Sequence, residues 1–451
     1  METELNYGLM LSLKEITLRR VVIILWSQTD ILSSQDSSNI NYQVENNIRK
    51  LELIPVLTEQ MIYLMQHIES EILNWRIFHE HYLEMPEGFD ARILQLLSWT
   101  VSGAVEYQKS AEDIIDHEIF DTTKNYKLAC LYCLDNRIPI LWEQLPEKSK
   151  RYFYEKDILQ IQDGTVLHLE FYWPYILEEE EDNLSFIFEI SIGNTISYKQ
   201  YAFEYSASQG NKAAAEYFFR KLTEDEIEAS LFRVCQFVVM KRTRYGLKKT
   251  DFPRVKISDT FCYFLSLLSV DRQMTIFKTF PRDVLICFLD WPRQNLFLDI
   301  AKLIWDYLTT IDYVFLLEDI SMRIKSDYTL AKLFQEFFLL GSNDFRKYFV
   351  NQESEFASCF QALFKIRDSE TIKLIFMNID SEAKKKLACS ERVFKLYERE
   401  VKKGDWYLVG LCLEESRLSK EDKEGIMDTL SKFAECLQKE EKILERNLNT
   451  D

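Results

Sequence analysis

Eleven glycines and eight prolines are all that 451 residues offer for sharp changes of direction. Globular chains average about 7% glycine and 5% proline. Glycine supplies the left-handed backbone of tight turns, and proline interrupts helices and strand ladders. A chain this poor in both has few places for hairpin turns or phosphate-cradling loops, while its helix interiors lose nothing. Because 47% of the residues are hydrophobic and 14% aromatic, enough apolar surface exists to pack those helices, and the expected fold is all-α.

The length exceeds what one compact core usually holds, unless helical units are added along an axis. With 73 acidic against 55 basic residues the formal net charge is −18. Such a field repels nucleic acid and anionic membranes, so the expected partner is a basic or neutral protein, with no nucleic acid, no membrane and no cofactor. The basic concentration Lys241, Arg242, Arg244, Lys248 and Lys249 reads as a solvated inter-helix loop, with a nuclear-import or phosphate patch as the alternative. Nine cysteines, at 130, 133, 235, 262, 287, 359, 389, 412 and 436, lie mostly in apolar stretches without framework spacing. They read as buried reduced thiols of a cytoplasmic protein, or of a nuclear one. Val21-Val22-Ile23-Ile24-Leu25-Trp26 is too short for a signal-peptide core or a membrane span, so no targeting segment is expected.

Ser33 to Asn39 is polar throughout and reads as a loop. After Pro55, the residues Met61, Leu64, Met65, Ile68, Ile72 and Trp75 recur at helical spacing toward Pro86, which specifies one amphipathic helix. Three later segments share a plan: an apolar helix, a break at Gly or Asn, a second apolar helix, and a capped start to the next element. The first runs from Asn125 through Cys133, breaks at Asp135-Asn136 and continues through Ile140-Leu141-Trp142. The second runs from Ser197, breaks at Gly210-Asn211 and continues from Ala214 to Phe219, with Thr223 and Glu226 forming a capping box. The third runs from Ser390, breaks at Gly404-Asp405 and continues from Leu408 to Leu413, with Ser419 and Asp422 as a weaker cap. Gly or Asn tolerates the left-handed conformation that closes a helix, and the next helix folds back on the first. Less complete copies surround Phe264 to Asp271 and Ile372 to Glu382. Spacing between second helices is on the order of 30 to 45 residues, the range of helical-hairpin solenoids. The stretch Leu184 to Ile192 is read as helix, with a strand as the alternative.

The short helix, Gly-Asn or Gly-Asp break and apolar helix resemble the helical half of an ankyrin repeat. The resemblance is carried by Ala207 to Asn211 with Ala214 to Phe219, and by Lys403-Gly404-Asp405 with Leu408 to Leu413. It implies a highly diverged ankyrin-like helical-repeat family. The Thr-Pro-Leu-His opening and the glycines of the ankyrin finger are missing, so the usual finger-borne binding surface is not expected.

Familiar catalytic signatures fail on arithmetic. The glycines, at 8, 88, 103, 164, 193, 210, 246, 341, 404, 410 and 425, allow no Gly-x-Gly loop, no Walker loop and no Gly-x-Ser-x-Gly elbow. Cys130-Leu131-Tyr132-Cys133 has the spacing of half a zinc site or a redox pair, lacks a second pair and a thioredoxin-type strand, and reads as two packed thiols. His79-Glu80-His81 on a helix points its imidazoles about 200° apart. His117-Glu118-Ile119-Phe120-Asp121 imitates a metalloprotease helix with Asp for the second His, and has no third ligand. The acidic run Glu178 to Asp182 reads as a solvated helix end, and Trp142, Trp291, Trp305 and Trp406 read as core.

These readings give an α-solenoid of antiparallel helix pairs. Residues 1–120 form an N-terminal helical region and 121–451 a repeat array ending in a charged capping helix with Ile426, Leu430, Phe433, Leu437 and Ile443. The expected function is a non-enzymatic protein interaction scaffold, with no catalytic, cofactor or metal residues assigned. The alternative is an enzyme or toxin-like effector whose site lies among His67, His79, His81 and His117.

Overall fold

The computed structural model describes residues 9–28, 37–89, 91–155, 168–192, 196–243, 251–324, 327 and 330–448. Every regular element among them is helical, and an isolated bridge joins Trp99 to Val105. Residues 184–192 belong to the helix Glu181–Ile192, so the all-α expectation holds there. The chain divides into two compact units, Met1–Phe297 and Leu298–Asp451.

In the first unit, helix Leu13–Trp26 opens on a capping box between Ser12 and Glu15. It packs on helices Ser37–Arg49 and Pro55–Tyr82. The helix Ser37–Arg49 takes in Ser37, Ser38 and Asn39, which the sequence reading had placed in a loop; residues 33–36 lie outside the described residues. Serines and asparagines enter a helix readily in its first turn, where they compete for unpaired N–H groups. Helix Pro55–Tyr82 buries Met61, Leu64, Met65, Ile68, Ile72 and Trp75, the residues whose spacing specified it. Arg19 and His67 both lie against Trp291, the guanidinium 4.9 Å and the imidazole 4.3 Å from the ring centroid.

The three sequence breaks are realised differently. Helix Thr122–Leu131 ends before Cys133, whose φ is 51°, so the turn comes earlier than Asp135-Asn136. A small thiol, buried on both sides of the turn, takes the left-handed position without glycine. At the second break Gly210 has φ 88° and closes helix Tyr198–Gln209. The Asn211 side chain then caps helix Lys212–Phe219 by accepting from the Ala214 N–H at 3.2 Å. Asn211 also donates to the Leu131 carbonyl at 2.8 Å, which ties the second break to the end of the first helix. The capping box at Thr223 is present: Glu226 accepts from the Thr223 N–H at 2.8 Å and its own N–H reaches the Thr223 hydroxyl. The same carboxylate accepts from Ser197, the cap of helix Tyr198–Gln209. One acidic group therefore fastens the starts of two helices.

Arg242 departs from the sequence reading. It lies in helix Glu224–Thr243 and is buried, donating through Nε and a terminal nitrogen to both Asp290 oxygens at 2.6 Å, while Ser258 donates to Asp290 at 2.6 Å. A guanidinium whose fork matches a carboxylate can be sequestered where a lysine would not be. Lys241 is in the same helix; Arg244, Lys248 and Lys249 lie outside the described residues.

In the second unit, contacts recur at every third helix. Helices Thr310–Ile324, Glu353–Ile366 and Glu391–Lys402 pack in succession. So do Leu330–Leu340, Ser369–Met377 and Tyr407–Glu415, and Asn343–Asn351 packs on Ser381–Cys389. Equivalent starts such as Glu353 and Glu391, or Asn343 and Ser381, are about 38 residues apart. The caps keep the same beat, with Ser342, Asp380 and Ser419 accepting from Phe345, Ala383 and Asp422 N–H groups. The second helix of each later triplet follows a left-handed residue: Arg367, φ 59°, then Asp368; Gly404, φ 77°, then Asp405. Arg367 pairs with Asp405 at 2.6 Å, joining one break to the next.

Between these helices runs a chain of rings. Phe338, Phe349, Phe356 and Phe360 meet edge to face, and Phe360 touches Phe376 and Phe364, which reaches Tyr397. Each ring pair is worth about 0.5–1.5 kcal/mol beyond its buried area. The closing helix Lys420–Leu448 buries Leu430, while the side chains of Cys436, Leu437 and Ile443 lie outside the described residues.

The two breaks at glycine should respond differently to a methyl group. At Gly210 a Cβ would meet the Ile257 nitrogen at 2.8 Å and the Lys256 carbonyl carbon at 3.0 Å; at Gly404 it would meet nothing within 4 Å. Gly404→Ala is expected to cost only the left-handed penalty, about 1–2 kcal/mol. Gly210→Ala is expected to cost clearly more, measured by urea denaturation of each full-length variant. Equal costs would contradict the close approach.

Candidate functional site

One face of helix Arg254–Ser266 forms the floor of a cleft in the first unit with a volume of about 880 Å³. Clefts of roughly 300–1,000 Å³ are the usual size for small-molecule sites. Lys256, Asp259 and Tyr263 occur at positions i, i+3 and i+7, so the helix presents them along one stripe. Each holds a residue from another element.

Lys256 is buried, with 8% of its surface exposed. Its ammonium donates to Glu71 at 3.2 Å and to the Val105 carbonyl at 3.1 Å, and lies 4.3 Å from the centroid of Tyr107. Glu71 also accepts from the Val105 N–H at 2.9 Å. The loop carrying residues 99–106 is thereby fastened to helices Pro55–Tyr82 and Arg254–Ser266. Asp259 accepts from the Arg293 guanidinium. Tyr263 carries the Lys212 ammonium over its ring at 4.5 Å, and Lys212 pairs with Glu216 at 3.3 Å. Burying ions is costly unless each is paired and hydrogen-bonded, and here the pairing sets out a row of charged groups beside an open space.

Several groups around the cleft are held in their neutral forms. Burial, then the charges of Glu71, Tyr132 and Asp259, push the Tyr107 phenol well up, so its hydroxyl keeps its proton. Burial pushes the Cys262 thiol up to about 11, which removes the thiolate that nucleophilic chemistry needs. Burial likewise raises Cys130 and Cys133, two packed thiols with Cys133 beyond the helix end.

The four histidines singled out from the sequence are placed apart by their partners. His79 is fully buried and lies 2.6 Å from the Trp75 carbonyl through Nδ1 and 2.6 Å from the Tyr132 hydroxyl through Nε2. The carbonyl can only accept, so Nδ1 carries the proton and the Tyr132 hydroxyl donates to Nε2. Burial drives this imidazole down to about 3. His81 is exposed, two positions further along the same helix. His67 stacks on Trp291 at an interplanar angle of 7°. His117 is exposed, follows helix Tyr107–Asp116 and contacts the Asp113 carbonyl at 2.7 Å. Glu118 is left-handed at φ 51° and Asp121 caps helix Thr122–Leu131, so 117–121 is a turn between helices. Among the described residues there is no group of three or more His, Cys, Asp or Glu able to hold a metal ion.

The acidic run has partners as well as solvent. Glu180 accepts from the Tyr154 hydroxyl at 2.5 Å and Glu181 pairs with Lys199 at 2.7 Å. Trp291 is buried in a turn, while Trp142, Trp305 and Trp406 are half-buried.

The sequence reading missed Tyr107, Lys212, Lys256, Asp259 and Arg293. The available signal was the helical spacing of Lys256, Asp259, Tyr263 and Ser266, masked by the further polar residues Arg254, Ser258 and Thr260 of the same helix. No protein-family model matches the chain, and no curated protein matches its sequence. Among the described residues no helix is long and apolar enough to cross a membrane.

The depressed His79 makes a pH prediction. Its imidazole is neutral when folded and has an ordinary value near 6.5 when unfolded, so the unfolded chain binds the extra proton below that pH. Stability is complete above pH 6.5 and is lost as the pH falls toward the folded value. Between pH 6.5 and 5 this group should remove up to about 1.4 kcal/mol per pH unit, a slope absent from His79→Gln, measured by urea denaturation across that range.

Proposed function

We propose that the chain is a non-enzymatic protein interaction scaffold built as an array of helical repeats. The observation that carries this reading is the recurrence of contacts, caps and left-handed breaks at every third helix of Leu298–Asp451, about 38 residues apart. Arrays of this kind bury their apolar faces against neighbouring repeats and leave extended surfaces for partners. The repeating unit is three helices, where the sequence pattern suggested pairs. The ankyrin-like resemblance draws its support from the local break, in which a left-handed residue precedes Asn or Asp.

The net charge of −18 favours a basic or neutral protein partner, and nine scattered cysteines favour the reducing cytosol or nucleus. The competing reading, an enzyme with a histidine-based site in the N-terminal region, loses support from the separate environments of His67, His79, His81 and His117.

The test is affinity capture on the full chain, followed by reconstitution with each purified candidate and sedimentation of the mixture. The expected result is at least one partner that forms a complex of fixed stoichiometry without turnover of either component. Failure to reconstitute any fixed complex would contradict the scaffold.

A further inference from the structure

The donors around the cleft of the first unit are unequally spent. Arg293 gives one terminal nitrogen to Asp259 and its backbone N–H to the Asp290 carbonyl, and its other side-chain N–H groups have no protein acceptor among the described residues. Lys212 stands at the first position of helix Lys212–Phe219 and Ala213 at the second. Asn211 caps only the Ala214 N–H, which leaves the N–H groups of Lys212 and Ala213 without acceptors among the described residues. Tyr107 is 8% exposed, lines the same cleft, and its hydroxyl has no hydrogen-bond partner. Of the acids lining the cleft, Asp259 is engaged by Arg293, and Glu216 by Lys212 and Arg220, while Glu106 is exposed at the rim.

The geometry groups these donors. Asp259 and Tyr263 are one turn apart on helix Arg254–Ser266, and residues so spaced lie about 5–6 Å from each other. Arg293 rests on the first and Lys212 on the second, so guanidinium and ammonium stand on neighbouring turns. The start of helix Lys212–Phe219 adds two N–H groups and the positive end of its dipole. One turn back, at Lys256, stands Tyr107.

We propose that this cleft binds a small molecule through an oxyanion, a phosphate or a carboxylate, held between Arg293, Lys212 and the N–H groups of Lys212 and Ala213. Arg293 offers its unspent nitrogens, Lys212 a charge, and the helix start two directed donors, a set that matches the several acceptors of one anion. The remaining space, bounded by Trp99, Val101 and Phe252, takes an apolar body. The site goes beyond the scaffold reading and stands or falls separately from it, because its test uses no protein partner.

The test titrates the full chain with inorganic phosphate and, separately, acetate, against chloride at matched ionic strength. Binding is read by calorimetry and by the rise in melting temperature. Saturable binding of either ion beyond the chloride control is expected; the tighter of the two identifies the head group. Lys212→Ala should weaken binding about fivefold or more by removing the charge-assisted contact. Lys212→Pro should weaken it further by deleting one N–H as well, at the helix position where proline is best tolerated. Should the proline variant not fold, the alanine variant decides, since Lys212 is half exposed. No binding of either ion beyond chloride up to about 50 mM, where even millimolar affinity would register, would overturn the proposal. So would undiminished binding by Lys212→Ala.

Discussion

Short helices cannot stand alone in water. An isolated helix below about 12–15 residues is marginal even with favourable composition, yet the second unit uses helices such as Asn343–Asn351, Ser369–Met377, Ser381–Cys389 and Tyr407–Glu415. Each must be held by its neighbours, and the neighbours come at every third helix. The aromatic chain from Phe338 to Tyr397 passes between these helices, and the ion pair between Arg367 and Asp405 fixes the offset of one break against the next. Periodic caps at Ser342, Asp380 and Ser419 set where each third helix begins.

The first unit meets the same constraint with polar ties. Glu226 fastens two helix starts, Asn211 bridges a break to the Leu131 carbonyl, and Arg242 with Ser258 encloses Asp290. The close approach of Gly210 to the backbone at Ile257 places the start of helix Lys212–Phe219 against helix Arg254–Ser266. That approach is what puts Lys212 over Tyr263 and forms one wall of the cleft. The left-handed break and one wall of the candidate binding site thus depend on the same glycine.

Much of this was legible in the residues. Glycine scarcity excluded sheets in favour of helices, and Gly210-Asn211, Gly404-Asp405 and the Thr223 capping box appear where their chemistry placed them. The period of three was hidden because Arg367 takes a left-handed position without a glycine to mark it, and Cys133 hides the turn of the first unit in the same way. The helix Asn343–Asn351, in turn, has too few apolar residues to announce itself beside its neighbours. The cleft was hidden for another reason: Tyr107, Lys212, Lys256 and Arg293 come from separate stretches of sequence, and only the packing of their helices joins them. Arg242 read as a loop residue because a basic run is normally solvated; a carboxylate at Asp290, distant in sequence, reversed that.

If each triplet is held by the next, damage to a middle helix should spread to its neighbours and fade with distance. Phe360 is fully buried and touches Phe356, Phe364 and Phe376, and Phe360→Ala should cost about 3–5 kcal/mol. Hydrogen exchange read by mass spectrometry on that variant should show protection lost most in Glu353–Ile366 and Ser369–Met377. Smaller losses are expected in Thr310–Ile324 and Glu391–Lys402, which pack on Glu353–Ile366. A uniform loss throughout Leu298–Asp451, or one confined to Glu353–Ile366, would contradict stability passed from triplet to triplet.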